Sequence, residues 1–166
     1  MHTRKDEEEF IAMLDSCRGT IFKVCLLYTD RSPEAIEDLF QEIACDLWES
    51  YTTFKRTSSV NTWVYRVAKN TALMAQRRTA RQPSFMRLDK SLYDTVAEEG
   101  GDENLLQLYE LVGRLPEEEK ILMDMYLASV PQNEIARQLG ISELAVNKRI
   151  SRLKQKLKQM NNEEQE

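Results

Sequence analysis

Apolar residues recur along this chain at three- and four-residue steps, with little strict alternation, so the pattern predicts helices rather than strands. Phe10, Leu14, Cys17, Ile21, Val24, Cys25 and Tyr28 follow that spacing and predict one amphipathic helix from Asp6 to Thr29. Asp30 and Arg31 interrupt it. Ser32 then offers a side-chain cap and Pro33 a proline at the first helical position, starting a second helix that runs to about Tyr51. Its apolar positions are Leu39, Phe40, Ile43, Ala44, Leu47 and Trp48. A polar loop from Lys55 to Asn61 precedes a third helix, Thr62 to Arg81. The expected buried stripe of that helix is Trp63, Val64, Val67, Ala68, Thr71, Met74 and Ala75, and its other face carries Arg66, Lys69, Asn70 and Arg77.

The periodicity fails between residues 82 and 102, where Pro83, Gly100 and Gly101 stand among scattered charges. It resumes at Glu103 with Leu105, Leu108, Leu111, Val112 and Leu115. Pro116 opens a further helix whose first turn holds Glu117, Glu118 and Glu119, where the helix dipole favours carboxylates. Pro131 opens a short helix to Leu139, Gly140 stops it, and Ser142 caps a last helix to about Met160, leaving Asn161–Glu166 as a polar tail. The expected fold is therefore all-α: two small helical domains, residues 6–81 and 103–160, joined by a flexible linker, 82–102. Five glycines and four prolines in 166 residues agree with such a helical chain.

The net charge of −5 argues against an autonomous DNA binder, since phosphate neutralisation supplies most non-specific affinity. The average conceals a segregation. Lys55, Arg56, Arg66, Lys69, Arg77, Arg78 and Arg81 fall in a stretch, Thr52 to Gln82, without one acidic residue. Carboxylates dominate from Asp94 to Asp124, and from Ile141 to Met160 the cations return, with Glu143 alone against them. Two cationic blocks flanking an anionic one predict two polyanion-facing surfaces; the plainer reading, solvated helix faces, remains open at this point. Cys17, Cys25 and Cys45 lie at apolar helical positions without a histidine cluster, so neither a disulfide nor a metal site is expected. No apolar run approaches the ~18 residues of a membrane span, and no leader segment is visible, so a cytoplasmic chain without membrane insertion is expected. The sequence offers no Gly-rich phosphate loop and no nucleophile–base pair; neither a catalytic site, nor a cofactor, nor a small-molecule substrate is expected.

The strongest local motif is PQNEIARQLGISELAVNKRISRLKQKLK, residues 131–158. Ala136, Gly140 four on and Val146 six further have the spacing of a helix-turn-helix: a small residue for close helix approach, a glycine for the turn, and a valine packing back on the core. Ile135, Leu139, Ile141, Ile150 and Leu153 complete the apolar set. The outward face of the second helix presents Glu143, Asn147, Lys148, Ser151, Arg152 and Lys154, with Arg149 beside them: short polar groups for base edges and long cations for phosphates. A helical hairpin with a merely solvated basic face is the alternative.

The first half carries a second signal. Asp38, Leu39, Gln41 and Glu42, then a polar loop, then Thr62, Trp63, Tyr65, Arg66, Ala68 and Asn70 resemble the second conserved region of the sigma-70 family, especially its extracytoplasmic-function (ECF) group. Leu115-Pro116 followed by the helix-turn-helix resembles the fourth region, so the resemblance covers roughly residues 10–80 and 104–158. It implies a sigma factor that binds core RNA polymerase and directs promoter melting and initiation. It further implies polymerase binding through Asp38, Leu39, Gln41, Glu42 and Trp48, toward the beta-prime clamp helices, with the fourth region on the beta flap. Contact with the −10 element falls to Lys55, Arg56, Thr57, Ser58, Ser59, Asn61, Arg66, Lys69, Asn70, Arg77 and Arg78. Contact with the −35 element falls to Glu143, Asn147, Lys148, Arg149, Ser151, Arg152 and Lys154. By analogy an anti-sigma factor is a further partner. Trp63, on the expected apolar stripe, reads as support beneath the loop, and Trp48 as either core or anchor. Where the family often has threonine before the valine of the last helix and a cation after it, this chain has Ala145 and Asn147, so no −35 sequence carries over. A helix-turn-helix regulator that does not engage polymerase is the competing reading, and a helical adaptor protein the next.

Overall fold

The computed structural model of the chain describes residues 3–54, 57–78 and 103–165. The predicted linker, residues 82–102, the end of the third predicted helix and the loop residues Lys55 and Arg56 lie outside them. Among the described residues all regular structure is helical, as expected, and the chain divides into two compact units, residues 1–102 and 103–166.

The first unit begins with α1 (Arg4–Ser16), capped reciprocally by Thr3 and Asp6: the Asp6 amide donates to the Thr3 hydroxyl at 3.1 Å and the Thr3 amide to the Asp6 carboxylate at 2.8 Å. The single helix expected over 6–29 is in fact two, because the chain turns at Cys17 (φ −105°, ψ 7°) before α2 (Arg18–Tyr28). The Ser16 hydroxyl donates to the Met13 carbonyl at 2.8 Å and so competes with the helix ladder, and Gly19 weakens the first turn beyond it. The break lets the two pieces bury different faces. Phe10 and Leu14 of α1 are buried, Phe10 with its ring 4.9 Å from Trp48, whereas every residue of α2 from Ile21 to Tyr28 except Lys23 is buried.

Ser32 accepts the Ala35 amide at 3.2 Å and Pro33 starts α3 (Pro33–Ser50), as the sequence predicts. Ile36, Leu39, Phe40, Ile43, Ala44 and Leu47 are buried, each worth roughly 1–3 kcal/mol by its size. After a turn of 3₁₀ helix (Tyr51–Thr53) and the loop, α4 (Val60–Arg77) begins two residues earlier than expected, since Ser59 caps it by accepting the Thr62 amide at 3.1 Å. Its buried face is also rotated from the predicted stripe. Val64, Ala68 and Thr71 are buried as expected, but Thr62, Tyr65 and Ala72 join them, while Trp63 and Val67 are half-buried and Met74 is 56% exposed. Two hydroxyls enter the core because they find partners there: Ser59 donates to Thr62 at 2.8 Å, and Thr71 donates to Asp46 of α3 at 2.6 Å.

The second unit packs α5 (Glu103–Gly113), α6 (Glu117–Leu127), α7 (Gln132–Leu139) and α8 (Glu143–Glu164) around Tyr109, Val112, Met123, Met125, Ile135, Val146 and Ile150. Gly140 takes φ 68°, ψ 32°, the left-handed conformation open to glycine at least cost, and turns the chain from α7 into α8. Ser142 then accepts the Ala145 amide at 3.1 Å. The last helix does not stop at Met160; four residues of the expected tail continue it. They are held from α5 and the turn after it: Gln107 donates to Asn161 at 2.7 Å, and Arg114 pairs with Glu164.

Candidate nucleic-acid interface

On α3, Glu34, Asp38, Glu42, Cys45 and Glu49 follow one another at three- and four-residue steps and share one side of the helix. Asp38 is exposed and Glu42 half-buried, so the two carboxylates expected to face polymerase do lie together. Leu39 and Gln41 do not project with them: both are 5% exposed, and the Gln41 amide donates to Glu37 at 3.5 Å. The negative field along this side registers on the Cys45 thiol, which burial pushes up first and the charges of Asp46, Glu49 and Glu42 push up further. Glu34 and Glu49 were not singled out from sequence, although their spacing from Asp38 is readable there. Trp48 is half-buried in an aromatic group, stacked at 6.3 Å on Tyr51 and tilted against Phe10, so it serves the core while showing part of its ring.

Arg66, Asn70 and Arg77 stand exposed on one face of α4, with Met74 beside them. Lys69 is half-buried, its ammonium 5.9 Å from the centre of the Tyr65 ring. Arg78, the residue that closes α4, pairs with Glu42. Of the loop residues, Thr57 is exposed and Ser58 half-buried, but Ser59 spends its hydroxyl on the cap and Asn61 accepts the Thr20 hydroxyl. Lys55 and Arg56 lie outside the described residues. Trp63 stacks on Phe54 with ring centres 4.6 Å apart, which fixes the chain where it enters the loop. Phe54 was missed from sequence because its partner lies across the loop.

In the second unit Glu143, Asn147, Lys148, Ser151 and Arg152 are exposed on the side of α8 away from its buried Val146, Ile150, Leu153 and Leu157. The remaining expected cations flank that surface. Lys154 leans toward α6, its ammonium 4.6 Å from the centre of the Tyr126 ring, and Arg149 borders a groove lined by Glu118, Glu119, Ile121 and Leu122. Lys156 reaches Glu119 at 2.8 Å. Leu144, in the first turn of α8 and 63% exposed, was not singled out from sequence, where it belongs neither to the apolar set nor to the polar face. Among the described residues no cluster of His, Cys, Asp or Glu is placed to hold a metal, and no helix is long and apolar enough to cross a membrane.

Comparison with known proteins assigns both units. Residues 13–82 match the family model for sigma-70 region 2, and residues 105–157 match that for sigma-70, region 4. Two curated proteins, each named ECF RNA polymerase sigma factor SigG, from Mycobacterium tuberculosis strains CDC 1551 / Oshkosh and ATCC 25618 / H37Rv, are 35% identical to the chain over 75 residues. That match takes in 45% of this chain and spans 20% of the length of each relative. With region 2 and region 4 present in that order over most of its length, the chain belongs to the sigma-70 family.

Proposed function

We propose that the chain is a sigma factor of the ECF group, which binds core RNA polymerase and directs promoter-specific initiation. The observation that carries this reading is the presence, in one chain and in order, of two sigma-70 regions that each expose a polar, cation-bearing helix face. The region 2 domain spans residues 6–81, the region 4 domain residues 103–160, and the linker 82–102 sets the spacing between promoter elements. The acidic side of α3, with Asp38 and Glu42, meets the beta-prime clamp helices, and the exposed edge of Trp48 anchors its end. Leu39 and Gln41 shape that side from beneath.

The α4 face of Arg66, Lys69, Asn70, Arg77 and Arg78, together with Lys55, Arg56, Thr57 and Ser58, holds the melted −10 strand. Opening a base costs a few kcal/mol, which cationic contacts to the unwound strand offset. Ser59, Asn61 and Trp63 hold the loop that presents these groups. In region 4, α8 enters the −35 major groove through Glu143, Asn147, Lys148, Ser151 and Arg152, with Arg149 and Lys154 at its flanks, while the domain docks on the beta flap. The chain itself performs no chemistry; RNA synthesis stays with the polymerase. It acts in the cytoplasm, and an anti-sigma factor is its negative partner.

The net charge of −5 fits this division of labour: the free subunit binds promoter weakly, and polymerase presents both DNA-binding faces together. The test is transcription in vitro with core polymerase on a randomised promoter library. The expected result is capture of the chain by core enzyme and enrichment of a two-part promoter. No capture, or initiation no better than with core alone, sinks the proposal in favour of a helix-turn-helix regulator independent of polymerase.

A further inference from the structure

Among the described residues Leu144 is left largely uncovered. It is the second residue of α8, fixed by the Ser142 cap, and 63% of it is in water. Asn147, Lys148 and Ser151 lie three, four and seven residues on, all exposed, so Leu144 sits among them on one face. Val146, Ile150 and Leu153 hold the opposite side in the core. Single exposed leucines are ordinary on protein surfaces. What sets this one apart is its place, in the first turn of the second helix of a helix-turn-helix, the part that reaches base edges.

The major-groove edge of DNA offers one methyl group, the 5-methyl of thymine, among an array of hydrogen-bond donors and acceptors. We infer that Leu144 is a specificity-determining residue that reads a thymine methyl in the −35 element. The inference rests on the proposed function, in which α8 lies in the major groove. In that position the side chain leaves water only when DNA arrives, so its burial adds to binding without having been used in folding. The discrimination is modest in size: about 0.8 kcal/mol for one buried methyl-sized group corresponds to about fourfold in affinity.

The experiment uses the full chain assembled with core polymerase, on the promoter it selects. Each −35 thymine, on either strand, is replaced in turn by deoxyuridine, which lacks only the methyl. The wild-type holoenzyme is expected to bind about fourfold more weakly at one thymine, and the Leu144→Ala holoenzyme to bind the thymine and uracil promoters equally. Alanine preserves the helix at this exposed site, so an unchanged melting temperature should accompany the lost discrimination. A wild-type holoenzyme indifferent to every replacement overturns the inference, as does an alanine variant that keeps the full effect or a selected −35 element without thymine. Those outcomes leave the sigma assignment standing. Failure to assemble with core enzyme takes both down.

Discussion

Glu42 of α3 accepts a hydrogen bond from the guanidinium of Arg78 at the end of α4, tying the acidic side of one helix to the cationic end of the other. The Arg78 side chain is 52% exposed and that of Glu42 20%, so water and salt screen most of the attraction. A double-mutant cycle on Glu42→Ala and Arg78→Ala, read by urea unfolding, should give a coupling of about 0.5–1 kcal/mol that shrinks as salt is added. Zero coupling at low salt would show that the pair does not form in solution.

Gly140 has a left-handed backbone, and a Cβ built on it meets nothing within 4 Å. The cost of Gly140→Ala is therefore the conformation alone, about 1–2 kcal/mol. Gly140→Asn should lose less, because asparagine tolerates that region better. Equal losses for the two variants in chemical unfolding would point to a cause other than backbone conformation.

Tyr109 is fully buried, and its hydroxyl has no hydrogen-bond partner among the described residues. Burial, and then the charge of Asp124, raises the phenol above its ordinary range. Tyr109→Phe keeps the ring and removes the unsatisfied group, so stability should hold or rise by about 1 kcal/mol. The sign with pH follows: a raised folded pKa contributes stability that is complete below the unfolded value of 10.0 and declines as pH climbs past it. The wild type should weaken there more steeply than the phenylalanine variant. A marked loss of stability in Tyr109→Phe at neutral pH would mean that the hydroxyl is bonded after all.

All three thiols are raised, each first by burial. Cys25 is fully buried, Cys17 nearly so and Cys45 half-buried. Reaction with a thiol reagent at mildly alkaline pH should be slow in the native chain and fast in urea, with Cys45 first and Cys25 last. Rapid native labelling of Cys25 would contradict the packing of α2.

The helix-turn-helix was legible because its determinants are local. Gly140 supplies a backbone conformation, Ser142 a cap two residues on, and Ala136 and Val146 a spacing, none of which needs knowledge of a distant residue. The same holds for Ser32-Pro33 at the start of α3. The face of α4 was misread for the opposite reason. Trp63 looks like core and Thr62 like surface until Phe54 and Ser59 are placed beside them. Hydrophobicity counts side chains; it does not say which hydroxyl will find a partner.

The chain by itself thus determined where α3 and the helices of the second unit begin, where that unit turns, and which family's motifs it carries, since all of these are written in spacings of a few residues. Only the tertiary structure decided that Gln41 and Leu39 turn inward, that Arg114 and Gln107 hold the extended end of the last helix, and that Leu144 is left mostly in water. Each of those depends on a group brought close from elsewhere in the fold, or on the absence of one, and burial is a property of the packed unit rather than of the residue.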